Sequence, residues 1–157
     1  MSITPELNIP LYSSRLKVED GIHFIFDEFR RKWVKLSPEE WVRQQFLMFL
    51  VKSLNYPASA IAVEKKLVYN GLTRRPDAVI SGPNAALLMV IEFKKTDVVV
   101  DEKTFLQAAT YISMLKTPYM LISNGLNHYC CYINRENNSI SYLSKIPDYQ
   151  ELIDMVS

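Results

Sequence analysis

The chain has 157 residues, with 18 Lys and Arg against 17 Asp and Glu and a formal net charge of +1. At 48% apolar and 22% charged residues it reads as one globular domain with a real core, and the near-neutral balance excludes a general polycation, so any contact with a polyanion must rest on a local basic patch. No apolar run is long enough to cross a bilayer, and the start "MSITPELNIPLYSSRLK" lacks the basic and apolar regions of a signal peptide, which places the expected protein in the cytoplasm with no membrane partner.

"IHFIFDEFRRKWVKL" predicts a hairpin, Ile22 to Phe26 and Lys32 to Leu36 around a polar turn. "SPEEWVRQQFLMFLVKSL" carries a helix start: Ser37 as N-cap, Pro38 as first helical residue and Glu40 closing a capping box. Val42, Phe46, Phe49 and Leu50 keep the helical period. After the break at "NYPASA", "IAVEKKLVY" predicts a strand, "NGLT" a turn and "RRPDAVI" the start of the next strand. "SGPN" turns the chain into "AALLMVIEFKK", whose unbroken apolar stretch suits a central strand covered on both faces. "DEKTFLQAATYISML" predicts a helix capped by Asp101, with Phe105, Ala108, Ile112 and Leu115 on its buried face. "PYMLIS", "HYCCYI" and "ISYLS" read as strands, and the last residues as a short helix. Cys130 and Cys131 are adjacent, which suits neither an ordinary disulfide nor a zinc site; they read as small apolar strand residues. The order predicts an α/β fold, of the α+β mixed-sheet kind, with helices flanking a central mixed sheet behind an N-terminal hairpin.

The chemistry concentrates at the end of the central strand. Side chains alternate along a strand, so Glu92 and Lys94 point one way and Phe93 the other. If "RRPDAVI" pairs antiparallel with "LLMVIEF", Asp77 and Glu92 converge at one sheet end. Two converging carboxylates repel unless they share a proton or a cation. Mg²⁺ is the natural cation, since it takes oxygen ligands and keeps waters for substrate. Lys94 beside it suits the orientation of a water or the stabilisation of charge on a phosphate, which is the chemistry of phosphodiester hydrolysis. The bland alternative is a structural salt bridge of Lys94 with Asp77 or Glu92. Gln107 and Tyr111 share a helical face at i and i+4; a helix flank explains them as well as a substrate contact does. Glu40 reaches toward the same place, although its capping role suffices for it. Glu64 reads as a solvated charge, and His23 and His128 as structural residues.

Taken together, "RRPDAVI", "VIEFKK" and "QAATY" resemble the PD-(D/E)xK nuclease superfamily, with Pro76-Asp77 and Glu92-Phe93-Lys94 in the pattern and "QAATY" in the place of its QxxxY element. From "LSPEEWVRQQFLMFLV" through "TPYMLISNGLNHYCCYI" the chain is similar to the N-terminal nuclease domain of type I restriction enzyme R (HsdR) subunits, in particular the small stand-alone bacterial proteins of that family. The resemblance implies a restriction-endonuclease-like core and a single nuclease-like domain over 1–157, with an N-terminal extension and hairpin at 1–36, the core at 37–135 and a C-terminal strand and short helix at 136–157. It implies a Mg²⁺-dependent DNA endonuclease of restriction-modification or repair type, with Mn²⁺ as a possible substitute. Asp77, Glu92 and Lys94 would be catalytic, Asp77, Glu92 and Glu40 would contact the metal, and Gln107, Tyr111, Arg74, Arg75 and Lys95 would bind substrate. DNA would be the partner, with other restriction-modification subunits or a second copy beside it. The departure is that R subunits fuse this domain to an ATP-dependent translocase, and no G-x-x-x-x-G-K-[ST] run occurs here. The alternative is a catalytically weak or inactive module of the same fold that binds DNA or a protein.

Overall fold

The computed structural model describes residues 2–112, 116–137 and 139–156; the side chains of 110–112 lie outside that description. Its strands are β1 (Leu16–Glu19), β2 (Ile22–Asp27), β3 (Lys32–Lys35), β4 (Ile61–Val63), β5 (Leu67–Tyr69), β6 (Leu72–Arg74), β7 (Ala78–Ser81), β8 (Leu87–Phe93), β9 (Tyr119–Ser123), β10 (His128–Asn134) and β11 (Ser139–Tyr142). The helices are α1 (Pro38–Ser53), α2 (Glu102–Ile112) and α3 (Tyr149–Val156). The main sheet runs β11-β10-β9-β8-β7-β4. Its β8–β9 pair is parallel and joined through α2, while the other pairs are antiparallel, so the sheet is mixed as the element order predicts.

The apolar stretch from Leu87 to Ile91 forms the central strand because it must be covered twice. Met89, Ile91 and Phe93 pack with Val42, Phe46, Leu47 and Leu50 of α1 and Leu152 of α3. Val90 and Val79 pack on the other face with Phe105 and Ala109 of α2. Phe46 and Phe93 meet at 5.5 Å between ring centroids, fastening α1 to the end of β8. The α1 start forms in part as predicted: Ser37 accepts a hydrogen bond from the Glu40 amide at 3.1 Å, with Pro38 in the first turn, but the Glu40 carboxylate turns to Arg30, Arg43 and Gln44 instead of closing the expected capping box. Asp101 likewise accepts from the Thr104 amide at 2.8 Å to cap α2. Cys130 and Cys131 are buried free thiols, as their strand pattern predicts.

Three expectations need correction. The N-terminal hairpin is a three-stranded meander, because Leu16–Glu19 adds a strand in register with β2. "IAVEKKLVY" is two strands in different sheets: Glu64 takes a left-handed backbone (φ 54), and the charged run after it leaves the main sheet. β5 and β6 form a separate hairpin around Asn70 and Gly71, both at positive φ (49 and 77), the conformation a two-residue turn of this hand requires. Arg74 therefore closes β6, and the next strand starts only at Ala78. Before the meander, the N-terminal segment straps the core: Gln45, fully buried, accepts from the Tyr12 amide at 2.8 Å and donates to Ser14 Oγ at 2.9 Å.

Candidate functional site

Antiparallel register pairs Ala78 with Ile91 and Val79 with Val90. One step beyond lie Asp77 and Glu92, on directly opposed positions that share a face. Asp77 Oδ2 accepts the Phe93 amide at 2.7 Å, which fixes the aspartate against the end of β8. Glu92 is half-buried beside it. Burial and then the Asp77 charge push the Glu92 carboxyl up to about 8, and a hydrogen bond with Asp77 further favours its protonated form, while Lys94 pulls the other way. Burial and the neighbouring charge thus favour a proton on Glu92 near neutral pH.

Lys94 is exposed just past the strand, with its amide bonded to Ser123 O at 2.9 Å. Its charge favours the ionised forms of Glu92 and Glu39, and among the described residues it forms no ion pair with Asp77 or Glu92. Asp77 lines a hollow of about 180 Å³ with Phe93, Glu64 and the first turn of α1, namely Ser37, Glu39, Glu40 and Arg43. That volume has room for several waters. Among the described residues no three His, Cys, Asp or Glu side chains converge as a ready-made cage. Asp77 and Glu92, with Asp77 lining an open hollow, have the donor set that Mg²⁺ takes, since it binds through one or two carboxylates and keeps several waters.

The helix carboxylate facing the pair is Glu39, which the spacing did not single out. Partial burial raises it, then Asp77 does, and Glu40 adds to this, against Lys94 and Arg43. Glu40 is occupied instead: it accepts from Arg30 Nη2 at 3.1 Å, from Gln44 Nε2 at 3.0 Å and from Arg43 Nη2. The signal was present, because Arg43 and Gln44 stand at i+3 and i+4 from Glu40 and pair with it along the helix. Glu64 binds Arg30 at 3.0 Å rather than standing in solvent alone. Arg30 also binds Asp27 at 2.5 Å, so one guanidinium ties the β2–β3 turn to α1 and to the end of β4.

The rim residues spread out. Arg75 and Lys95 are exposed, and Arg74 donates to Thr73 O at 2.9 Å. Gln107 is exposed in an open hollow at the start of α2, with Asp101, Glu102, Lys103 and Leu106, away from the acidic one. The Tyr111 side chain lies outside the described residues. His128 is structural, bonded through Nδ1 to Ser123 Oγ at 2.6 Å and packed on Phe46.

Comparison with known proteins places this geometry in a family. Curated proteins give no match. Among solved structures, a fragment assigned as an HsdR subunit of a type I restriction enzyme from Vibrio vulnificus YJ016 superposes with a TM-score of 0.53 at 17% identity. The match covers 75% of this chain and 25% of that one, so the chain spans about a quarter of that relative's length, and the likeness is one of fold. The family model described as type I restriction enzyme R protein N terminus (HSDR_N) matches residues 38–147, well over half of the chain. The chain belongs to that family.

Proposed function

We propose that this domain is a Mg²⁺-dependent DNA endonuclease module of restriction-modification type, working in the cytoplasm, in which Asp77, Glu92 and Lys94 carry phosphodiester hydrolysis. The observation that carries the proposal is the Asp77–Glu92 pair, two carboxylates held against each other at a strand end with Lys94 beside them. Membership of a family named for a restriction enzyme subunit supports it. Asp77 and Glu92 would hold Mg²⁺, or Mn²⁺ in its place; the bound ion supplies Lewis-acid charge and an acidified water. Glu92 would give up its proton where a cation took its place. Lys94 offers a mobile positive charge to phosphoryl oxygens or to the attacking water. Glu39, rather than Glu40, is the helix carboxylate available to the site, while Glu40 braces Arg30 and Arg43. Arg74, Arg75 and Lys95 would supply cations for phosphates, and Gln107 and Tyr111 would contact substrate from α2, beyond the acidic hollow. The relative is part of a multi-subunit type of enzyme, and other restriction subunits or a second copy are the natural partners.

A second reading is a module of this fold that binds without cutting. It is favoured by the lack of a three-ligand cage among the described residues and by the commitment of Glu40 to two arginines. Cleavage of supercoiled DNA with Mg²⁺ or Mn²⁺ decides between them. Cutting by wild type that is lost in folded Lys94→Ala and Asp77→Ala supports the nuclease; a folded wild type that binds metal yet never cuts supports the second reading.

A further inference from the structure

The outer face of the N-terminal meander is a surface of a different kind from the acidic hollow. Its inner face packs Ile25 and Val34 against Leu36 and Trp41. Alternation therefore turns Phe24, Phe26 and Trp33 outward, with Trp33 38% exposed and the two phenylalanines half-buried. Register arranges this face in two rows. Lys17, Phe24 and Lys35 lie across the three strands in one. Phe26 pairs with Trp33 in the next, beside Arg15, whose carbonyl accepts the Phe26 amide at 2.9 Å. Successive rows on one face are about 7 Å apart.

Cations stand over these rings. The Arg15 guanidinium is 3.8 Å from the Phe26 centroid, and Lys17 Nζ is 4.5 Å from that of Trp33. Arg31 lies 5.5 Å from Phe26. Among the described residues, Glu28 pairs with Arg15 and Arg31, and Glu19 pairs with Lys17. In a chain of net charge +1 this is a concentrated local excess of positive charge. The pairs are solvent-exposed and weak, so a phosphate replaces a glutamate at little cost.

We propose that this face binds single-stranded DNA, bases stacking on Trp33, Phe26 and Phe24 and phosphates meeting Arg15, Lys17, Arg31 and Lys35. Aromatic rings interleaved with cations are what a strand with unpaired bases needs, and every base has a face to stack. A duplex hides its bases, and an acidic peptide uses the cations without the rings. The far end of the face is the β2–β3 turn, where Arg30 binds Glu40 and Glu64 of the acidic hollow. A strand lying on the meander is thereby led toward Asp77 and Glu92. The choice of DNA rests on the proposed nuclease function; the stacking surface stands on the meander itself.

The test is binding of a labelled oligo-dT in EDTA, where cleavage plays no part. Wild type is expected to bind with Trp33 fluorescence quenched, and to bind an abasic oligomer or a duplex of equal length less tightly. Trp33→Ala is expected to weaken binding about ten-fold or more, with partial rescue in Trp33→Phe. Lys17→Ala combined with Lys35→Ala is expected to flatten the salt dependence by about 1.4, at ~0.7 per lost phosphate contact. Binding unchanged in these folded variants, or equal binding of the abasic oligomer, would overturn the surface. Tighter binding of oligo-rU than of oligo-dT would overturn the DNA assignment. Binding as expected without metal-dependent cleavage would count against the nuclease reading alone.

Discussion

Glu92→Gln tests the electrostatics of the candidate site without any substrate. The glutamine amide can still donate to Asp77, as the protonated carboxyl does, but it never ionises. In the folded protein burial and Asp77 raise Glu92 from 4.5 to about 8. The folded state thus holds a proton that the unfolded state has released, and wild-type stability falls as pH rises from about 4.5 to about 8, then levels off. At about 1.4 kcal/mol per pH unit the gap corresponds to a ceiling of about 5 kcal/mol. Glu92 is only half-buried and keeps contact with water, which brings the expected effect to about 2 kcal/mol. Thermal melts of metal-free protein read it directly. At pH 8.5 Glu92→Gln should melt about 4–8 °C above wild type, and near pH 5 the two should melt within about a degree of each other. A variant that melts below wild type at pH 8.5, or a difference that does not vary with pH, would show that Glu92 is not held against a like charge.

Arg30→Met should cost about 3 kcal/mol in urea unfolding, because it leaves Asp27 buried without its cation and frees the meander from Glu40 and Glu64. Burial opposes the Asp27 charge, but hydrogen bonds from the Arg30 side chain and from backbone amides hold its carboxyl below the usual value. Wild type therefore loses this contribution as pH falls below about 4, and Arg30→Met should lose less there on acid titration followed by circular dichroism. Gly125→Ala should destabilise by about 1–3 kcal/mol and expose the N-terminal strap to protease. The glycine sits at φ +86, and a Cβ there would meet Leu7 Cδ2 at 2.6 Å. Ser37→Ala should cost about 1 kcal/mol in the same unfolding assay by removing the α1 cap.

The parts legible in the sequence are those set by short-range rules. The run "LLMVI" has to be a doubly covered strand, and antiparallel pairing brings Asp77 and Glu92 to one sheet end; a register shift between Ile80 and Ser81 is what sets them directly opposite, and the two-residue period alone does not give it. Ser37 and Asp101 announce α1 and α2 because their caps act within three residues. What was hidden depends on contacts between distant residues. The left-handed Glu64, which sends Leu67–Tyr69 out of the main sheet, bonds its amide to Asp77 O and its carboxylate to Arg30. Arg30 looks like one more charge in a polar turn until the meander folds back on α1. The pairing of Glu40 with that same guanidinium and with Arg43, inside the hollow that Asp77 lines, depends on the same long-range contact.

The proposed divalent-cation site of Asp77 and Glu92 is best probed by calorimetric titration of Mn²⁺ or Mg²⁺ at pH 7. Run in buffers of different ionisation heat, it should show binding that is lost in Asp77→Ala. Each ion bound should displace about one proton, because Glu92 with a value of about 8 is mostly protonated at that pH. Undiminished binding in folded Asp77→Ala, or no binding by wild type, would contradict the proposal.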